Sequence, residues 1–242
     1  MTEQDKEDKE DKTKFPIRSF VIRSGRMTEA QRTGLDSHLE QWGLKLSEHT
    51  LDYAKAFGNE NPLNMEIGFG MGDSLATMAE NEPEQNFIGV EVHSPGIGRL
   101  LSLVENKAIK NIRVFNDDAV KVLKQCTAEH SLSRLNLYFP DPWHKTKHHK
   151  RRLVQHSFLE LIHSRLHEGG LFHFATDWQP YADYVVKLMS QQSLFENVAG
   201  DKLFVAPEDY GRPETKFERR GQKLGHGVWD MVFRALPKEP LK

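Results

Sequence analysis

Residues 63–74 read LNMEIGFGMGDS: a strand-like run, three glycines at alternate positions and the polar residues of a helix start. Such a run, followed by a glycine-rich turn and a helix, is typical of the opening of a βαβ unit. The turn is G-x-G-x-G, so Asp73 stands where a dinucleotide fingerprint has its third glycine. Glu66 and Asp73 also flank the turn, where an anionic pyrophosphate would lie. The motif therefore disfavours NAD and favours a cationic ligand.

Short apolar runs and segments of helical period alternate on both sides of this turn. The predicted strands are Leu63–Ile67, Phe87–Val92, Ile112–Phe115, Leu135–Phe139 and Leu171–Ala175, with two late strands at Leu203–Val205 and Val228–Phe233. The predicted helices are Ser74–Glu80, Ile97–Asn106, Ala119–Gln125, Leu153–Leu166 and Tyr181–Met189. Strands alternating with helices predict a doubly wound, Rossmann-like α/β fold. We expect a mostly parallel sheet with an antiparallel C-terminal edge.

Composition and charge exclude several other classes of protein. One cysteine in 242 residues, Cys126, forms neither an internal disulfide nor a Cys-rich zinc module. No apolar run approaches the roughly 20 residues of a membrane span, and residues 1–14 are charged where a signal peptide needs an apolar segment. We therefore expect a cytoplasmic protein. Its predicted parts are a disordered tail over 1–14, a lead-in over 15–61 that packs on the core, and the sheet domain over 62–242.

Carboxylates stand at the ends of four consecutive predicted strands. Glu66 belongs to the first strand and Glu91 to the second, while Asp118 and Asp141 follow the third and fourth. Ligands of doubly wound sheets bind outside the carboxyl ends of the strands, so these acids are predicted to meet. Singly, each could be a helix cap or a solvated loop residue. Together they fit S-adenosylmethionine, which is cationic: Glu91 suits its ribose hydroxyls and Asp118 its adenine amino group.

A strongly basic segment, FPDPWHKTKHHKRR over residues 139–152, follows the fourth strand. After its one acid, Asp141, it holds five Lys or Arg residues and three His, in a chain whose formal net charge is -2. Such a cluster beside a cofactor site indicates a clamp for a nucleic-acid backbone, although a solvated basic loop is the alternative. His144 and His148 are four apart, but the neighbouring cations would repel a divalent ion. We expect no metal site, and we expect the histidines to contact RNA.

These motifs resemble those of one family. The chain is similar to the bacterial-type tRNA (guanine-N7)-methyltransferases, which are S-adenosylmethionine-dependent class I methyltransferases, over about residues 60–235. The resemblance is carried by EIGFGMG from Glu66, the strand end at Glu91, Asp118-Ala119, PDPWHKTKHHKRR from Pro140, ATDW at 175–178 and RPETKFERRG from Arg212. The basic block and the TKFE block together are very specific. The resemblance implies that 62–242 is a methyltransferase domain and that the methylated base is a guanine of the tRNA variable loop.

The resemblance also implies a role for each site residue. The cofactor-binding residues would be Glu66, Gly68, Gly70, Glu91, Asp118 and Asp141, with Asp141 at the catalytic position. The substrate-binding residues would be Lys145, Asp177, Thr215, Lys216, Phe217 and Glu218. The RNA-binding residues would be Lys147, His148, His149, Lys150, Arg151 and Arg152.

Three other functions remain open at the level of sequence. Amino-group nucleic-acid methyltransferases often carry a D/N-P-P-aromatic turn, whereas here Asp141-Pro142 leads straight to Trp143. A non-catalytic RNA-binding module on a methyltransferase scaffold would not need the set of strand-end acids. An NAD-dependent oxidoreductase is disfavoured by the glycine spacing and the surplus of carboxylates.

Overall fold

The computed structural model describes residues 19–20, 26–215, 218 and 227–237. The predicted tail over 1–14 and two predicted substrate-binding residues, Lys216 and Phe217, lie outside these ranges. The strands of the described part are β1 Gly43–Leu44, β2 Leu63–Ile67, β3 Asn86–Val90, β4 Ile112–Phe115, β5 Leu132–Tyr138, β6 Leu166–Thr176, β7 Phe195–Asn197 and β8 Trp229–Ala235. The α-helices are α1 Glu29–Trp42, α2 Tyr53–Phe57, α3 Asp73–Asn81, α4 Ser94–Asn106, α5 Ala119–Lys121, α6 His156–Arg165 and α7 Gln179–Met189. A π-helical turn, Val122–Cys126, continues α5, and a 3-10 helix spans Thr146–Arg151.

The described strands form one sheet in the order β1-β4-β3-β2-β5-β6-β8-β7. Strands β1 to β6 pair in parallel, whereas β8 is antiparallel to both of its neighbours, β6 and β7. The predicted doubly wound, mostly parallel α/β fold with antiparallel C-terminal pairing is confirmed. Within the described ranges, no helix is long and apolar enough to span a membrane.

The prediction of a strand at Leu203–Val205 is wrong. Leu203 follows a 3-10 helix, Gly200–Lys202, and its φ of 66° turns the chain out of the extended conformation. One backbone hydrogen bond, from Val205 N to Asp230 O, is all that this run contributes to β8 among the described contacts. The edge strand is instead β7, a three-residue segment too short for its alternation to be recognised in the sequence.

Helices cover both faces of the sheet. Leu75 of α3 and Leu100 of α4 are fully buried against one face, and Phe158 of α6 and Tyr181 of α7 pack on the other. Helix α1 adds a further layer because it crosses α4 at two glycines. A Cβ on Gly98 would lie 1.9 Å from the carbonyl oxygen of Gln31, so the two backbones are in direct contact.

One face of the sheet changes from apolar to polar beyond β2. Glu66, Asn136 and His173 occupy the same register on β2, β5 and β6, so their side chains share this face. Asp230 of β8 pairs with Ala175, two residues beyond His173, and therefore lies on that face as well. All four side chains are buried. A buried polar row thus runs across the sheet toward the carboxyl ends of its strands, where unsatisfied polar groups would be costly.

Candidate active site

The carboxyl ends of β2, β3, β4 and β5 surround one cavity of about 210 Å³. Four of the predicted cofactor-binding residues line it, one from each strand end: Gly68, Glu91, Asp118 and Asp141. Apolar side chains such as Phe139 and Leu153 complete its wall. The acids that the sequence places far apart along the chain are therefore neighbours around one pocket.

The glycine turn lies against the cavity and depends on left-handed backbone. Gly68, Gly70 and Gly72 have φ angles of 74°, 58° and 78°, which cost a residue with a Cβ about 1–2 kcal/mol each. At Gly72 a Cβ would also lie 2.7 Å from Leu100 Cβ. Gly70 itself is not a lining residue. Its amide donates a 2.9 Å hydrogen bond to Glu91 Oε2 and so joins the turn to the end of β3.

Glu91 is buried and held by backbone amides. Its Oε1 accepts hydrogen bonds from the amides of Val92, at 2.7 Å, and His93, at 2.9 Å. Together with the bond from Gly70 these contacts fix the carboxylate at the cavity wall. Three of the roughly four lone-pair sites of the carboxylate are thereby used, and the one that remains, on Oε2, could still accept a hydrogen bond from a hydroxyl donor.

Glu66 lies behind the cavity rather than on its wall. The side chain is buried in β2, and its Oε2 has no hydrogen-bond partner among the described residues. Burial, followed by the negative charge of Glu91, raises the pKa of Glu66 to about 8. The carboxyl group is therefore mainly protonated at neutral pH, and a cation bound nearby would favour its ionised form.

Asp118 combines a structural contact with its place in the cavity. Its Oδ1 accepts a 2.8 Å hydrogen bond from the amide of Val120 and so caps α5. Asp73, by contrast, is exposed and pairs with Arg99 at 2.7 Å, outside the cavity lining. Asp73 therefore adds little to the negative charge of the pocket itself.

The turn that carries Asp141 is rigid on both sides. Phe139 and Trp143, which flank Pro140-Asp141-Pro142, have positive φ angles of 51° and 48°, rare for residues with side chains. The amide of Phe139 donates to Ala175 O at 2.8 Å, and the indole of Trp143 donates to Ser19 O at 3.2 Å. The exposed carboxylate of Asp141 is thus held at the mouth of the cavity.

Arg152 supports this turn from beneath. It is only 3% exposed, its Nε donates to Pro142 O at 2.9 Å, and its guanidinium stacks over the rings of Tyr181 and Tyr184. The sequence predicts an RNA contact for Arg152, but its burial favours a supporting role. The tyrosines that bury Arg152 belong to α7, well after the basic block in the sequence, and only the fold brings them beside it. Nothing in the local sequence therefore indicated that Arg152 is buried.

The other five predicted RNA-binding residues, Lys147 to Arg151, lie on the 3-10 helix Thr146–Arg151, which is surface-exposed or half-buried throughout. Arg151 stacks over Trp143, with its Cζ 4.7 Å from the ring centroid. Partial burial and then the cations Lys147 and Arg151 lower the pKa of His148. The helix therefore concentrates positive charge beside the Asp141 turn.

The histidines of this region pack on tryptophans. His144 meets Trp178 edge to face at 4.5 Å, and His148 lies 5.8 Å from the ring of Trp143. Among the described residues, no group of three or more metal-ligating side chains comes together. Lys145 and Asp177 are exposed at the ends of the loops that follow β5 and β6. Their predicted substrate contacts stay predictions.

A buried ionic cluster, which the sequence analysis missed, anchors the segment that contains Thr215. Arg212 Nη1 and Nη2 donate to the two carboxylate oxygens of Glu218, both at 2.6 Å. Arg212 Nε and Nη2 donate to Asp230 at 2.6 and 2.7 Å. The Arg212 guanidinium also stacks over Tyr138 and Phe139, which lead into the Asp141 turn. One side chain therefore ties the segment that contains Thr215 to the Asp141 turn.

Two neighbours complete this cluster. His173 Nε2 lies 2.8 Å from Asp230 Oδ1, and His173 Nδ1 lies 3.1 Å from the hydroxyl of Tyr138. Burial lowers the pKa of His173, so a neutral ring donates to Asp230 and accepts from Tyr138. Burial alone would raise the pKa of Asp230, but hydrogen bonds from His173 and Arg212 hold it below its usual range. The cost of burying the Asp230 carboxylate is therefore offset by hydrogen bonds from His173 and Arg212.

Glu218 and Thr215 hold each other in place. The amide of Thr215 donates to Glu218 Oε2 at 2.8 Å, and Thr215 Oγ1 accepts from the amide of Glu218 at 3.1 Å. Both carboxylate oxygens of buried Glu218 already bind Arg212, and the side chain of Glu218 positions Thr215. The substrate contact predicted for Glu218 stays a prediction. The sequence did contain one sign of this cluster: Asp230 is an acid within the otherwise apolar strand segment WDMVF, and an acid buried in a strand needs a partner.

Comparisons with known proteins define the class. A family model described as a putative methyltransferase matches residues 60–231. The known structure of an antibiotic-related methyltransferase superimposes with a TM-score of 0.52, covering 79% of this chain and 100% of that one at 11% identity. The chain is therefore a member of a methyltransferase family, and its fold is a Rossmann-like sheet.

Curated relatives define the family within that class. A tRNA (guanine-N(7)-)-methyltransferase of Pseudomonas savastanoi pv. phaseolicola is 53% identical over 230 residues, which are 95% of this chain and 94% of the relative. Another, of Pseudomonas putida, is 54% identical over 220 residues, 91% of each chain. The chain belongs to the tRNA (guanine-N7)-methyltransferase family, and the resemblance read from its motifs is confirmed.

Proposed function

We propose that this protein transfers a methyl group from S-adenosylmethionine to N7 of a guanine in tRNA, in the variable loop. The observation that carries the proposal is the convergence of Gly68, Glu91, Asp118 and Asp141 around one cavity, in a chain of this family. The basic 3-10 helix Thr146–Arg151 lies directly after the Asp141 turn, so a polyanion bound there would reach the same pocket.

The residues of the cavity fit this cofactor. The four carboxylates at its wall, Glu91, Asp117, Asp118 and Asp141, and the unpartnered Oε2 of buried Glu66 behind it suit a ligand with two positive charges. Glu91 would accept a hydrogen bond from a ribose hydroxyl, Asp118 would accept one from the adenine amino group, and the backbone at Gly68 would allow close approach. When bound, S-adenosylmethionine supplies an electrophilic methyl group on a sulfonium.

Guanine N7 requires positioning more than acid–base chemistry. It carries an in-plane lone pair and no proton, so a bond from N7 to the methyl carbon forms as the sulfur–carbon bond breaks, and the base becomes cationic. Alignment of two bound reactants supplies roughly 7–11 kcal/mol of barrier reduction. Asp141 and Asp177 would accept hydrogen bonds from guanine N1–H and the exocyclic amine. Their negative charge would also stabilise the charge that develops on the ring.

The remaining site residues would bind the RNA. Lys147 to Arg151 offer cations to phosphates, and Lys145 is placed to contact a phosphate or guanine O6. Thr215, held by Glu218, would face the base together with Lys216 and Phe217. We further propose that residues 62–242 act as the methyltransferase domain, that 15–61 packs on it, and that the enzyme is cytoplasmic, where it meets tRNA.

The decisive experiment incubates purified protein with an unmodified tRNA transcript and methyl-labelled S-adenosylmethionine. We expect label in 7-methylguanosine at one position of the variable loop, located by borohydride reduction and chain cleavage. Label in an amino-methylated base would support an amino-group methyltransferase instead. Binding of tRNA without any transfer would indicate a non-catalytic RNA-binding module.

A further inference from the structure

A second, larger cavity adjoins the proposed cofactor pocket. It measures about 800 Å³ and shares Val92, Asp117, Asp118 and Leu153 with the smaller one. Phe158 and Leu161 of α6 contribute apolar surface to it. This space therefore opens from the side of the pocket where Asp118 would meet adenine.

Cations from two separate elements line this larger cavity. Lys121 and Lys124 come from α5 and its π-helical continuation, and Lys150 and Arg151 come from the 3-10 helix that follows the Asp141 turn. We call the cavity, with these four side chains, the basic cleft. Only Lys150 and Arg151 belong to the block that the sequence motifs assign to RNA. Lys121 and Lys124 lie 26 to 30 residues earlier in the chain.

Of these four cations, Lys121 alone has an ion-pair partner among the described residues, namely Asp117. Asp118 Oδ1 caps α5, and Asp117 Oδ1 accepts from the amide of Asp118 at 2.7 Å while lying 3.9 Å from Lys121 Nζ. Among the described residues, no carboxylate lies within ion-pair distance of Lys124, Lys150 or Arg151. A concave surface with unpaired cations on two sides attracts an anion.

The backbone that presents Lys124 is unusual and firmly anchored. Residues Val122–Cys126 form a π-helical turn, a rare conformation that is frequent at functional sites. Thr127 Oγ1 donates to Val122 O at 3.2 Å, and Leu51 N donates to Cys126 O at 2.9 Å. Val122, Leu123 and Cys126 are buried, which leaves Lys124 and Gln125 facing outward. The turn therefore holds a lysine toward the basic cleft.

We propose that the basic cleft binds the phosphodiester backbone of the tRNA substrate, with Lys121 and Lys124 as contacts beyond the motif-defined block. This inference rests on the proposed function, because the RNA assigned to the basic cleft is the tRNA substrate of the proposed methyl transfer. An RNA that enters between the two cationic elements would have phosphates on the adenine side of the methyl donor. Its target base would then be directed toward Asp141.

The test compares two matched double variants. Lys121→Gln with Lys124→Gln removes the two new contacts. Lys110→Gln with Lys187→Gln removes the same charge at the opposite edge of the sheet, because Lys110 precedes β4 and Lys187 lies in the last turn of α7. The affinity of each protein for an unmodified tRNA transcript is measured over a range of KCl concentrations, together with cofactor affinity by calorimetry.

We expect the Lys121/Lys124 variant to bind tRNA about tenfold more weakly at low salt, with the slope of log K against log salt smaller by about 1 to 2. Cofactor affinity and kcat at saturating tRNA should stay at the wild-type values, and Lys124→Arg should retain binding. An unchanged slope, or an equal loss in the Lys110/Lys187 variant, overturns the proposal. The proposed function is tested independently of these variants: it is wrong if the wild-type protein does not methylate guanine N7 in tRNA.

Discussion

Arg212 and Asp230, which are 18 residues apart in the chain, are joined by two hydrogen bonds of 2.6 and 2.7 Å in a site that excludes water. The same guanidinium binds Glu218 and stacks on Phe139. Asp230 belongs to the sheet and Glu218 to the segment that carries Thr215. Arg212 therefore fixes the distance between the proposed substrate segment and the Asp141 turn.

Arg212→Met should destabilise the protein by about 3–5 kcal/mol, because Asp230 and Glu218 would remain buried without a counter-charge. Chemical denaturation measures this loss. Arg234→Met is the matched control: its partner Glu196 is also an acid, but the pair is exposed, so its loss should cost about 0–1 kcal/mol.

The triple variant Arg212→Met, Glu218→Gln, Asp230→Asn separates stability from positioning. It should regain part of the lost stability because no buried charge is left alone. Its kcat for tRNA should stay low, since nothing then holds Thr215 against the Asp141 turn. Recovery of both quantities would show that the cluster serves stability alone.

Glu66→Gln should change how stability depends on pH. The pKa of Glu66 is raised from 4.5 to about 8 in the folded protein, so its stabilising contribution is complete below about 4.5 and is lost as pH rises through about 8. In this interval the wild-type free energy of unfolding should fall by up to about 1.4 kcal/mol per pH unit from this group. The Gln variant should lack that slope, whereas Glu105→Gln on the exposed side of α4 should keep it. Equal slopes in all three proteins would contradict the assignment.

Binding of the methyl donor should release protons below about pH 8, because a cation near Glu66 favours its carboxylate form. Calorimetry in buffers of different ionisation enthalpy measures this release. Glu66→Gln should abolish it. Proton release of the same size in the variant would assign it to another group.

Gly68→Ala should weaken cofactor binding by about tenfold or more, as the new methyl group would stand at the cavity wall. Gly58→Ala is a matched control. Both glycines have a positive φ, 74° and 76°, and a Cβ at either meets no atom within 4 Å, but Gly58 ends α2 away from the cavity. Both variants should lose similar stability, and a similar loss of cofactor affinity in both would argue against the role of Gly68.

Asp141→Asn should lower kcat by on the order of 100-fold or more, since it removes the negative charge proposed to stabilise the cationic base. Circular dichroism and tRNA affinity should remain close to wild type, because the Asp141 side chain is exposed. Asp183→Asn, on the exposed side of α7, provides the control. Near-normal turnover in Asp141→Asn would remove Asp141 from the mechanism.

The sequence by itself determined the parallel sheet and the place of the pocket. Strands are recognised by local runs, and parallel strands necessarily bring their carboxyl ends to one edge. Glu91, Asp118 and Asp141 could therefore be predicted to meet without knowledge of the strand order. The resemblance of the motif blocks to those of the tRNA (guanine-N7)-methyltransferases then identified the family, because residue types and spacing match within each block.

Only the tertiary structure decided how the ends of the chain complete the site. Insertion of β8 between β6 and β7 brings Asp230 beside His173, 57 residues away, and gives Arg212 its buried partners. Burial also separates Arg152, which is buried and supports the turn, from its neighbour Arg151, which is only half-buried and stacks on Trp143. Which charged side chains become buried, and which partners they find, depends on how segments distant in the sequence pack together. The local sequence pattern does not specify this packing.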